Sequence, residues 1–373
     1  MMLTRALPRL VARRAQFAAR NSAQNTYCAI ATRAAHSGRT HAASPRFPST
    51  AAAAATLVAA ATFGGAAVAA CKADAPPADV AGLRPAIVKV VQESDAIYNA
   101  PETHSRQELF DYLAAAKVAQ DADATRSYGT KLAKTWGDLE PNAAVPSDAH
   151  SPRERSAVDW RLARACHELA LEPDTPAEEK RALMYKGLML AGLAATNDDG
   201  SFAAHKWLGI LMSAVGDYEG TKARIGRSYE IKKEWDRAVA LAPGDATSHH
   251  LLGRWAFSIA SLSWVERNVA KLLFGAPPAT SIAEALGHFR RAEAISPGFW
   301  KKNALMIAKC HLAGEPGAGV GEAGGEDVTP KAAAEAWLIR ALEIPTKSTD
   351  DRLAHDEALV LLKKKFGRTF PAE

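Results

Sequence analysis

From Val80 to Arg368 the apolar residues recur every three or four positions, as on a helix with one buried face. No run of them alternates with polar residues between tight turns as a half-buried strand would. The pattern predicts an all-α domain over residues 80–368, with helices near 80–99, 104–118, 121–136, 151–171, 176–195, 201–215, 222–241, 246–265, 281–295, 299–313, 330–343 and 350–366. Local chemistry agrees with these bounds. Ser105 with Glu108, and Thr280 or Ser281 ahead of an apolar run, are helix-start signals, while LAPGD (241–245) and ISPGF (295–299) supply stops.

Helices punctuated by Pro and Gly at recurring intervals call for a search for repeats. After Leu252-Gly253 the next helix carries Ala285, Phe289, Ala292 and Pro297, spaced A-x3-F-x2-A-x4-P. Small Ala residues let two helices approach, Phe fills the gap between them, and Pro ends the second helix. A copy lengthened by about eight residues runs from Leu208-Gly209 to Trp235, Ala238 and Pro243. Weaker copies begin at Trp160, with Ala163, Arg164 and His167, and near Trp300, ending at Ala341 and Pro345. The Gly-rich segment 314–329 interrupts the last copy and reads as a solvated loop.

These residues resemble the tetratricopeptide repeat, most closely over 246–297, less over 202–243 and weakly in the outer two copies. More narrowly, PGDATSHHLLGRWAFSIASLSWVERNVAKLLFGAPP, then IAEALGHFRRAEAISPGF, and GDYEGTKARIGRSYEIKKEWDRAVALAPGD before them, look like the regulator of microtubule dynamics family over roughly residues 85–366. The resemblance implies a tetratricopeptide-like helical-repeat solenoid. It further implies association with microtubules for some members and, for membrane-anchored ones, a place at organelle contacts with phospholipid binding.

Charge divides the chain. Nine of its 46 Lys and Arg precede the first acid, Asp74, leaving 37 against 41 acids, so residues 74–373 carry about four negative charges in excess. That sign argues against a nucleic-acid partner. Residues 1–50 are rich in Arg, Ala and Ser without an acid, the composition of a disordered transit peptide for the mitochondrion, with the plastid as the alternative address and a basic arm as the plainer one. Residues 51–71 are uncharged and about long enough to cross a bilayer, though twelve of the 21 are Ala. They read as a membrane anchor or sorting signal, against an Ala-rich linker, and 72–79 as a linker.

Four widely separated cysteines without a CxxC support neither a zinc site nor a disulfide framework, and Cys166 and Cys310 read as core residues. The adjacent His249 and His250 point about 100° apart on a helix and so favour packing over a shared metal. Trp235, Trp255 and Trp264 read as core. Lys363, Lys364, Lys365 and Arg368 complement the last helix's dipole or offer a basic contact to an acidic microtubule surface. There is no GxSxG, P-loop or HExxH, and no GxGxxG that opens a helix after a strand, so the chain reads as non-catalytic and without a cofactor or metal.

In a tetratricopeptide solenoid the first helix of each pair lines the concave groove. The resemblance places there Val158, Arg161, Ala165 and Glu168; Ala203, Lys206, Ile210 and Ser213; Thr247, His250, Arg254 and Phe257; and Lys301, Ala304, Ala308 and His311. With about one Lys or Arg in each unit, Arg161, Lys206, His250, Arg254, Phe257 and Lys301 form a weakly basic groove for a peptide carboxylate or acidic segment of a protein partner, tubulin among them. The alternative is a phospholipid-binding or lipid-transfer protein at a mitochondrial membrane.

Overall fold

The computed structural model describes residues 80, 82–128, 150–219, 221–274, 279–314 and 329–370. The segments assigned above to transit peptide, anchor and linker, and most of the Gly-rich loop, lie outside them, as does 129–136. Twelve α-helices occur among the described residues, joined by turns and one short 3-10 segment, with no strand: α1 Pro85–Asn99, α2 Arg106–Tyr128, α3 Pro152–Leu171, α4 Ala177–Asn197, α5 Phe202–Val215, α6 Thr221–Leu241, α7 Ala246–Ala260, α8 Trp264–Phe274, α9 Ile282–Ile295, α10 Lys301–Ala313, α11 Pro330–Glu343 and α12 Thr349–Phe366. None of them is long and apolar enough to cross a membrane.

The helix starts follow from side chains that satisfy otherwise unpaired backbone N–H groups. Ser151 and Glu154 form a reciprocal capping box with Pro152 in the first turn of α3. Ser201, Asp245, Ser281, Thr329 and Ser348 accept from the N–H three residues on, opening α5, α7, α9, α11 and α12. Ser105 does the same for Glu108 ahead of α2. α12 ends at Gly367, whose φ of 67° is the left-handed conformation that glycine adopts without a Cβ clash.

Two boundaries differ from the sequence reading. α2 is continuous from Arg106 to Tyr128 rather than broken near 120, because no Gly or Pro interrupts it there. The helix expected over 246–265 stops at Ala260, and the chain turns through Ser261-Leu262-Ser263 into a separate helix, α8. Serines offer competing backbone contacts at such a turn. The guanidinium of Arg267 donates to the carbonyls of Ala260 and Leu262, satisfying acceptors at the end of α7.

The helices pack as pairs, α1 on α2, α3 on α4, α5 on α6, α7 on α9 and α10 on α11, with α12 against α10 and α11. In sequence α8 comes between the two members of the fourth pair, and it rests on α6 of the pair before. First helices also meet one another, α1 with α3, α3 with α5, α7 with α10 and α10 with α12. The apolar core therefore runs from pair to pair: one cluster joins α2 to α5, a second joins Trp160 of α3 through Trp235 and Trp255 to Cys310 of α10, and a third closes over α12. Cys166 and Cys310 are both buried and free, and burial pushes each thiol up to about 12.

Within the third and fourth pairs the closest approach uses the repeat residues. A Cβ on Gly209 would lie 2.4 Å from the indole nitrogen of Trp235, and one on Gly253 would lie 2.8 Å from the ring of Phe289. The glycine is therefore the seat for the aromatic of the partner helix, which is why the two occur together in both copies. At Gly192 of α4, by contrast, an added Cβ meets nothing within 4 Å.

Gly253→Ala should therefore destabilise the domain by about 1–3 kcal/mol through overpacking, and Phe289→Leu in the same chain should recover part of the loss. Gly192→Ala should be neutral or gain about 0.5–1 kcal/mol from helix propensity. Urea unfolding of the three variants beside the parent checks both signs.

Candidate partner-binding site

Of the sixteen first-helix positions placed in the groove, twelve are buried and Lys206, Ser213, Arg254 and Phe257 are half-buried. Charge at most of these positions is neutralised inside the protein. Arg161 grips Asp95 of α1 with two nitrogens, at 3.0 Å from Nε to Oδ1 and 2.7 Å from Nη2 to Oδ2, and Arg164 donates to the same carboxylate at 3.1 Å while its guanidinium lies 3.6 Å from the ring centre of Tyr98. Burial raises the Asp95 carboxyl, but the two guanidiniums outweigh it and hold the group below its ordinary value.

Lys206 reaches from α5 to Asp245, 3.0 Å from Nζ to Oδ1, so the carboxylate that caps α7 also ties it to the preceding pair. Lys301 is fully buried, with Nζ 2.9 Å from His355 Nδ1 and 3.4 Å from the carbonyl of Leu342. His250 is fully buried between the rings of Phe289 and Trp300, at centroid distances of 5.2 and 4.3 Å. Its Nδ1 lies 2.9 Å from Oδ1 of Asn303, whose amide nitrogen donates to the carbonyl of Phe289 and to Glu293. With Oδ1 thereby acting as the acceptor, Nδ1 of His250 carries the proton and Nε2 presents a lone pair.

One region differs from the rest of this line. At the junction of α7 and α10, Lys302 is pushed below its ordinary value first by burial and then by the positive charge of Arg254, while Asp350 opposes both from 2.7 Å. Lys302 Nζ also sits 5.9 Å from the ring centre of Trp300. Among the described residues, Nε2 of His250 and the indole N–H of Trp300 meet no hydrogen-bond partner. The junction thus brings together two mutually repelling cations, an unused donor and an unused acceptor, with Phe257 half-buried one helical turn beyond Arg254.

No group of His, Cys, Asp and Glu among the described residues is arranged to hold a metal ion. His249 and His250 point to separate partners, the first to the carbonyl of Pro243 and the second to Asn303.

The family model described as regulator of microtubule dynamics protein 1–3 matches residues 90–367. The chain belongs to the regulator of microtubule dynamics family. Regulator of microtubule dynamics protein 1 of Homo sapiens is 40% identical over 203 residues, which are 54% of this chain and 60% of that protein. The protein of the same name from Bos taurus is 33% identical over 277 residues, 74% of this chain and 71% of its own. Regulator of microtubule dynamics protein 3 of Xenopus laevis is 34% identical over 193 residues, 52% of this chain and 38% of its own. The chain thus spans about 60% of the human relative's length.

As a regulator of microtubule dynamics family member, the chain departs from a simple tetratricopeptide register at its basic positions. The resemblance placed Lys301 toward a partner, yet it is the next residue, about 100° round the helix, that feels the charge of Arg254. Asp95, Asp245, Asn303 and Asp350 were not singled out from the sequence, and Trp300 was named only as the start of a repeat copy. Asp245 carried a signal, since an acid directly after Pro-Gly and before an apolar run is a helix cap; the others are joined to their partners only by tertiary packing.

Burial, and then Arg254, push His250 well below the ordinary histidine value of 6.5, with the Asn303 contact opposing only in part. The folded protein therefore keeps this ring neutral while the unfolded chain binds a proton below pH 6.5, so the stability it supports is present above that pH and is lost as pH falls. Chaotrope unfolding from pH 7.5 to pH 5 should show declining stability, and His250→Gln should flatten part of the decline. Burial also lowers His249 and His288, so a residual slope remains.

Proposed function

We propose that the chain is a non-catalytic helical-repeat scaffold of mitochondria, which recruits a protein partner through an acidic segment or peptide carboxylate at the α7–α10 junction. The observation that carries this reading is the Arg254–Lys302 pair beside the unpartnered Trp300 N–H and His250 Nε2. An entering carboxylate would offset the repulsion between the cations, which Asp350 relieves at Lys302 only in part.

The names of the relatives speak of microtubule dynamics, and tubulin is a natural candidate for the acidic partner. The Arg-rich, acid-free tail supports a mitochondrial address. These two readings meet at one question, the side of the outer membrane on which the repeats lie. Protease digestion of a carboxy-terminal tag on intact mitochondria would support tubulin and contacts with other organelles. Protection until the outer membrane is ruptured would set tubulin aside in favour of an acidic partner within. The buried ion pairs along the first helices support a peptide ligand over the phospholipid alternative, which calls for a deep apolar cavity.

Arg254→Glu should weaken binding of an acidic peptide by about tenfold or more, with the parent's affinity falling as salt rises. Lys206→Ala should leave binding within about twofold, because its charge already neutralises Asp245. Equal affinity of the Arg254 variant and the parent, measured by fluorescence anisotropy of a labelled peptide, would overturn the site.

A further inference from the structure

Trp264 was expected in the core, but its side chain is 78% exposed, and Leu272 of the same helix is 85% exposed. Both belong to α8, the helix that interrupts the fourth pair. With 100° per residue, Trp264, Asn268, Lys271 and Leu272 fall within an arc of about 100°, and all four are exposed. Ala270 is buried, and α8 rests on α6. Arg267, on the flank of the arc, is held by the carbonyls of Ala260 and Leu262, so the helix is fixed at its start while its outer face stays in solvent.

We propose that α8 is an interfacial docking element that lays Trp264 and Leu272 into an anionic membrane surface, with Lys271 meeting lipid phosphates. Charge selects this occupant. α8 carries Arg267 and Lys271 against one acid, Glu266, and no ion pair among the described residues engages Lys271. An indole, a leucine and a long amine side by side form a set that settles at the boundary between headgroup and acyl chain, where the indole sits at headgroup depth and the amine reaches the phosphates. A stable protein interface buries about 800 Å² on each side. An interfacial helix has no such threshold, since membrane affinity grows with each inserted apolar residue and each cation.

The test is fluorescence of the full chain on vesicles of brominated phosphatidylcholine, with and without phosphatidylserine. The amino-terminal segment is present in every sample, so attachment alone decides nothing; the depth of Trp264 does. Trp160, Trp207, Trp235, Trp255 and Trp300 are buried and Trp337 is half-buried, so the difference between the parent and Trp264→Phe isolates the emission of Trp264. The expected result is loss of that emission to the bromine quencher and protection from aqueous acrylamide on phosphatidylserine vesicles. Both changes should be absent from Trp264→Phe and strongly reduced in Leu272→Asp, whose unfolding midpoint should match the parent because the site is exposed. Equal quenching of the parent and Trp264→Phe, or equal quenching with and without phosphatidylserine, would overturn the proposal.

Discussion

The fit of an aromatic ring onto a glycine is the contact on which the arrangement of helices depends. At Gly209 and Gly253 the absence of a side chain lets Trp235 and Phe289 lie against the backbone of the partner helix. That proximity sets the spacing within each pair and thereby decides which residues of the first helix are left to meet the next unit. The indole of Trp235 also donates to the carbonyl of Lys206, so the same ring satisfies a polar group while filling space. Small residues on the facing helices, Ala238, Ala285 and Ala292 among them, are fully buried for the same reason.

Given that spacing, first helices of successive pairs come near enough for short polar contacts, and the protein fills that region with pairs that neutralise each other. Arg161 with Asp95, Lys206 with Asp245 and Lys302 with Asp350 are examples on three different junctions. A partly buried cation is costly without a counter-charge, which is why basic residues on an inner face do not by themselves make a binding surface. At the α7–α10 junction, burial and the charge of Arg254 still hold Lys302 below its ordinary value although Asp350 pairs with it.

Much of the architecture was legible from local signals. Ser105, Ser281 and the 3.6-residue period acted through neighbours close in sequence, and Phe289 betrayed its contact with Gly253 because both stand at repeat positions. The break at 261–263 was not legible, since the apolar period continues through WAFSIASLSWVERNV; nor was the exposure of Trp264, whose type favours burial. The basic positions were identified, but their partners were not. Asp95 lies 66 residues before Arg161, and Asn303 lies 53 residues after His250. Pairing over such separations follows from packing, which leaves no periodic trace.

Asp245 has two tasks: it caps α7 and it binds Lys206 of the previous pair. The start of one unit is thus made partly by the unit before it, so the energy of the junction cannot be separated from the energy of the helix. In a linear array, cooperativity rises with the share of stability held between neighbours rather than within them. Such a chain resists fraying one unit at a time, and a disturbance at α5 is felt at the first turn of α7 without any change in the residues between.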